Sequence, residues 1–185
     1  MTEYSEIADP SLQSRVRGRY SAEITTLLAL GFRHLAFTLE ARGPFSAISH
    51  LPILPLMRRA KEVLVFPFPL CLGAAHVVLV HSAPPAIAIC MGMGVKFFTN
   101  FSDHWLLISS TLQSHVALQN LSSLEPNSQI VRLPPCRTPE EAWLSHKRRT
   151  TEMEARGKTI GNTSSFADYI EISRREEADL RSRTA

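Results

Sequence analysis

The most regular pattern in the chain is an alternation of side chains between residues 95 and 111. Odd-numbered positions from 95 to 101 share one face of an extended strand, and residues 105–111 form a return strand. Ser102-Asp103-His104 lies between them and predicts the turn of a β-hairpin. Because a tight hairpin turn needs a positive φ, which glycine adopts most easily, we expect a strained His104 or a longer turn.

Residues 63–80 carry no charged side chain, and two interpretations fit that run. Its length and the basic side chains just before it are typical of a membrane span: Arg58, Arg59 and Lys61. Pro67, Pro69 and Gly73 interrupt the run, and the β-branched residues 77–80 precede a turn signal at residues 82–85. We therefore favour buried strands, with a membrane segment as the alternative.

Capping signals predict three helices. The first covers residues 21–30, with Ile24, Leu27 and Leu28 facing inward and Gly31 as its left-handed stop. The other two form a pair over residues 138–181. The first of them opens on the capping box Thr138-Pro139-Glu140-Glu141 and buries Ala142, Trp143, His146, Thr150 and Met153. The second starts at Ser165, with Phe166, Tyr169 and Ile170 facing inward.

These elements predict an α+β fold. We expect an antiparallel β-meander of about 4–6 strands over residues 32–133, with an N-terminal helix and two C-terminal helices. Residues 1–20 are polar, and we expect a frayed terminus, or a short helical stretch ending near Gly18, ahead of a single domain at residues 21–185. Helices do not alternate with the predicted strands, and this order favours an antiparallel sheet over a parallel one.

Composition narrows the classes of function. The formal net charge is +3, and positive and negative side chains nearly cancel in the charged C-terminal part, so the sequence does not favour nucleic acid as a partner. The three cysteines include no CxxC pair, which argues against a disulfide framework and a zinc knuckle. The first ten residues are acidic and polar, unlike a signal peptide. We expect a cytoplasmic protein, with membrane association as the alternative.

Three short motifs resemble those of uncharacterised bacterial α+β proteins that have no assigned activity. The motifs are Leu30-Gly31-Phe32, the hairpin from Phe97 to Asp103, and a helix bearing Trp143 and His146. This chain departs from the pattern at His104, where a glycine is usual. The resemblance implies an α+β fold and no particular chemistry.

Two places in the chain are candidates for functional chemistry. His146 follows Trp143 by three residues, so the two side chains share a helix face. His146 fits either a titrating group at an interface or a core histidine bonded to a carbonyl, and we favour the core role. Asp103-His104 at the hairpin tip fits a catalytic pair less well than a turn aspartate beside an exposed histidine.

The remaining charged and histidine residues give weaker signals. Lys147, Arg148 and Arg149 are candidate anion contacts, but the glutamates near them in sequence favour a surface of intrahelical ion pairs. The seven histidines show no metal-ligand spacing, so we expect neither a metal site nor a cofactor.

Three hypotheses for function follow from these observations. The first is a non-catalytic binding or protein-interaction domain, acting as a homodimer or with a protein partner through the sheet face or the tryptophan helix. The second is a membrane-associated protein that uses residues 63–80. The third is a small enzyme with a pocket that includes some of His34, His76, His115 and His146. The sequence favours interaction over catalysis.

Overall fold

The computed structural model describes residues 3–41, 74–92, 94–111 and 129–184. Within these ranges the strands are β1 Glu3–Glu6, β2 Arg33–Ala41, β3 Ala74–Ser82, β4 Pro85–Met91, β5 Gly94–Asn100, β6 Leu106–Ser110 and β7 Ile130–Arg132. The helices are α1 Pro10–Arg19, α2 Ser21–Ala29, α3 Pro139–Ala155 and α4 Phe166–Thr184.

The strands of the described residues form one sheet in which spatial order follows chain order from β1 to β7. Neighbouring strands are antiparallel except for β6 and β7, which are parallel. The predicted α+β class, with its N-terminal helix and two C-terminal helices, is confirmed. The sheet has more strands than expected, and the expectation of a wholly antiparallel meander is wrong. A parallel neighbour needs a crossover connection, and no turn signal marks one.

The N-terminal residues belong to the fold, and α1 lies where a short helical stretch ending near Gly18 was expected. Strand β1 pairs with the edge of β2 that faces away from β3, and Tyr4 lies opposite Glu40 in this pairing. The Asp9 carboxylate then caps α1 by accepting a hydrogen bond from the Ser11 amide at 2.8 Å. Val16 is the buried residue of α1, so the helix has no apolar stripe that periodicity would reveal. The N-terminal segment is held by the pairing of β1 with β2 and by the Asp9 cap of α1 instead.

Apolar side chains cover both faces of the sheet. Helices α1, α2 and α3 pack on one face, through residues that include Val16, Leu27 and Trp143. Helix α4 packs on the other face through Tyr169 and Ile172. Because successive strand residues point to opposite faces, strands covered on both sides become continuous apolar runs. Two covered faces therefore account for the nearly uncharged sequence of the central strands.

The segment proposed as a membrane span falls partly within the sheet. Residues 74–80 belong to β3, which lies between β2 and β4, while residues 63–73 lie outside the described residues. Among the helices of the described ranges, none has the length and apolar character that crossing a bilayer requires.

Helix α4 crosses the strands. Near its start, Tyr169 lies by Thr38 of β2. Further along, Glu176 pairs with Lys96 of β5 at 2.8 Å, and Asp179 pairs with Arg132 of β7 at 2.7 Å. Later residues of the helix thus contact strands progressively farther along the sheet.

Local signals in the sequence position the other elements correctly. His104 has φ 66°, as expected for the hairpin, and Thr138 caps α3 by accepting from the Glu141 amide. Gly31 ends α2 with φ 91°. Two details of α2 are wrong: Ser21 is its first helical residue rather than its cap, and Leu28 is 50% exposed because Leu27 occupies the core position.

Candidate functional site

His146 is fully buried between α3 and the sheet. The alternation of strands β5 and β6 directs Thr99 and Ser109 toward α3, one on each side of the imidazole. The His146 Nε2 lies 2.9 Å from the Thr99 Oγ1, and its Nδ1 lies 2.8 Å from the Ser109 Oγ. The ring lies in the core, but its hydrogen-bond partners are two hydroxyls and not the carbonyl predicted from the sequence.

A neutral imidazole, protonated on Nε2, accounts for both ring contacts. The Nε2–H donates to Thr99, whose hydroxyl donates to the Pro85 carbonyl at 3.2 Å, and the Ser109 hydroxyl donates to Nδ1. Burial lowers the pKa of His146 to about 3. The ring therefore stays uncharged at neutral pH, and its position in the core gives no substrate access to it.

Trp143 forms the centre of an aromatic cluster beside His146. Its ring centroid lies 5.7 Å from that of His146, in a stacked arrangement, and 4.8 Å from that of Phe32. His81 and Phe97 contact the same indole at 4.9 Å and 5.5 Å. Trp143 is buried, so its contribution is to packing between α3 and the sheet.

The hairpin tip holds the segment between α3 and α4 in place. The Asp103 carboxylate accepts a hydrogen bond from Lys158, which is the main reason that the pKa of Asp103 is lowered. The Arg175 guanidinium donates to the His104 carbonyl and to the Asn100 Oδ1, the latter at 2.7 Å. The side chain of His104 is exposed. These contacts describe a structural brace between the hairpin and α4.

The three basic residues of α3 do not act as one group. Arg149 pairs with Glu152 at 2.7 Å, and this hydrogen bond lowers the pKa of that glutamate. Lys147 places its Nζ 5.7 Å from the Trp143 ring centroid. Arg148 extends into solvent with 80% of its side chain exposed. Arg148 is therefore the exposed member of the three, while Lys147 is half-buried beside Trp143 and Arg149 is held in an ion pair.

Sequence reasoning missed a polar cluster beneath α4. It joins Tyr4 of β1, Thr38 and Glu40 of β2, His76 of β3 and Tyr169 of α4. The His76 Nε2 lies 3.9 Å from the Glu40 Oε2, and the Thr38 Oγ1 lies 3.5 Å from the Tyr169 hydroxyl. The rings of Tyr4 and Tyr169 meet edge to face at 5.7 Å. Four titratable groups thus meet on an otherwise apolar sheet face.

The electrostatics of this cluster keep both tyrosines protonated. Burial raises the pKa of Tyr4 well above its usual range, with Glu40 adding to the shift. Burial also raises the pKa of Tyr169 to about 12. Such a set offers hydroxyl donors beside a carboxylate and an imidazole. The described residues contain no group of three or more side chains suited to holding a metal ion.

The described histidines of the enzyme hypothesis lie apart. His76 lies on the face covered by α4, and His146 lies on the face covered by α3. The His34 ring contacts the Phe37 ring in a tilted arrangement with 4.3 Å between centroids, and burial lowers the pKa of that imidazole. His115 lies outside the described residues.

Comparisons of the chain with protein-family models, with curated proteins and with solved structures gave no match.

Proposed function

We propose that this chain is a non-catalytic interaction domain that binds a protein partner through the outer surface of α2 and α3. The observation that carries the proposal is a pair of exposed leucines on these two helices. Leu28 is 50% exposed and Leu144 is 61% exposed. Each directly follows a side chain that anchors its helix in the core, Leu27 or Trp143.

The roles of the other candidate residues support this proposal. His146 and Trp143 fix α3 to the sheet, and Asp103 and the His104 carbonyl fix the hairpin to the segment around α4. These residues are committed to the fold, whereas Leu28 and Leu144 contribute little to the core. Large apolar side chains that gather on one surface are typical of partner contacts.

Site-specific photocrosslinking in intact cells tests the proposal. A benzophenone amino acid at position 144 or 28 is expected to trap a discrete adduct. The matched control is position 12 in α1, where Leu12 is 37% exposed on a different helix. Adducts at 144 and 28 but not at 12 support the proposal. A lack of adducts at 144 and 28, or equal yield at 12, contradicts it.

A small enzyme is the second candidate, and the pair of Glu40 and His76 favours it. A carboxylate and an imidazole buried away from water cost free energy, so a pair kept for chemistry lowers the stability of the fold. Replacing both residues by leucine is then expected to stabilise the fold by about 1–3 kcal/mol. Urea denaturation measures this. A destabilised double variant would show that the pair is structural and would remove this candidate.

A further inference from the structure

The exposed side of α3 carries a symmetric arrangement of charges around Leu144. Glu140 and Glu141 lie four and three residues before it, and Lys147 and Arg148 lie three and four residues after it. The buried side of the helix is formed by a separate set: Ala142, Trp143, His146, Thr150 and Met153. The spacing of three and four places the charged residues on the same side as Leu144.

This arrangement is self-complementary. When two such helices cross antiparallel with Leu144 at the crossing point, the two-fold axis brings residues on the same flank of the stripe opposite each other. Glu140 of one copy then faces Lys147 of the other, and Glu141 faces Arg148. A two-fold axis repeats each pair, so one surface supplies both halves of an isologous interface.

We propose that the partner of this surface is a second copy of the same chain, joined through antiparallel α3 helices with Leu144 at the two-fold axis. This inference rests on the proposed function, because it specifies the partner of the α2 and α3 surface. Within one copy, Arg148 stays 80% exposed with its Nε 3.9 Å from the Glu152 Oε1. A facing Glu141 gives that guanidinium a partner across the interface.

The size of the surface determines how tightly two copies associate. Helix α3 has 17 residues, so it is about 25 Å long. A single helix pair of this length buries less than the roughly 800 Å² per partner of a typical stable interface. The dimer is therefore reversible, and its population depends on protein concentration.

Charge reversal combined with mixing tests the interface in the purified full chain. Arg148→Glu places like charges opposite Glu141, twice by symmetry, and Glu141→Arg places like charges opposite Arg148. Each variant alone is expected to weaken dimerisation about tenfold in sedimentation equilibrium. An equimolar mixture restores both pairs and recovers wild-type association. Arg174→Glu on α4 is the matched control, since it makes the same charge change on an exposed residue of the opposite sheet face.

The outcomes separate this inference from the proposed function. Recovery in the mixture, with Arg174→Glu behaving as wild type, supports the α3 dimer. A wild-type chain that stays monomeric at about 100 µM overturns it, as do variants that dimerise unchanged. Circular dichroism of each variant shows whether it is folded. If the dimer fails but position 144 still traps an adduct of another mass, the interaction surface stands and the second copy is the wrong partner.

Discussion

The buried imidazole of His146 makes the stability of the fold depend on pH. The unfolded chain binds a proton on this residue below about pH 6.5, whereas the folded chain does so only near its pKa of about 3. The unfolded state therefore holds more protons between these values, and stability falls as the pH falls. The loss is about 1.4 kcal/mol per pH unit, or about 2 kcal/mol between about pH 7 and pH 5.

Urea denaturation of the wild type and of His146→Gln at both pH values measures this contribution. Glutamine keeps one donor and one acceptor for Thr99 and Ser109 but does not titrate. The variant is expected to lose about 2 kcal/mol less than the wild type on acidification. Other groups act equally in both proteins and cancel in the difference. His104→Asn is the control: it removes an exposed histidine while tolerating the positive φ, and we expect wild-type pH dependence.

Equal losses in the wild type and in His146→Gln would refute this reasoning. A variant that fails to fold is recognised by circular dichroism, and the wild type then gives a second test by NMR. The carbon-bound protons of the His146 ring are expected to show no titration down to about pH 4.5. A titration midpoint of these protons near pH 6.5 would show that the ring reaches water and that its pKa is not lowered in the folded protein.

Three substitutions that change backbone freedom give further tests. Gly31→Ala places a Cβ in a left-handed conformation 3.2 Å from the His81 Nε2, so we expect a loss of about 1–2 kcal/mol in urea denaturation. In Gly18→Ala the new Cβ meets open space within α1, so we expect the free energy of unfolding to rise by about 0.5–1 kcal/mol. If Gly31→Ala and Gly18→Ala changed the free energy of unfolding equally, the role given to the left-handed Gly31 would be wrong. His104→Gly should stabilise by about 1 kcal/mol through relief of the positive φ, and a loss would mean that the imidazole packs usefully.

The sequence predicted the structural features that depend only on residues close together in the chain. The hairpin turn at His104, the cap of α3 at Thr138 and the stop of α2 at Gly31 are each settled within a few positions, and all three agree with the structure. The buried stripe of α3 also followed from helical spacing. Such features need no knowledge of the rest of the fold.

The elements that were missed depend on distant parts of the chain. Strand β1 exists because β2 offers it an edge, and residues 3–6 carry no local pattern that indicates a strand. In the polar cluster, Thr38 and Tyr169 are 131 residues apart, and only the strand register brings Glu40 near His76. No local pattern contains that register, so the cluster could not be predicted from spacing.

The crossing of α4 over the strands affects how the sheet comes apart. A sheet whose strands pair in chain order can in principle unfold by losing its edge strands one at a time. Here one helix touches Thr38 of β2, Lys96 of β5 and Arg132 of β7, so detaching it weakens distant strands at once. Amide protons of β2 and β7 are therefore expected to exchange in a shared opening event. Because α4 links strands that are far apart in the sheet, we expect the sheet to unfold cooperatively.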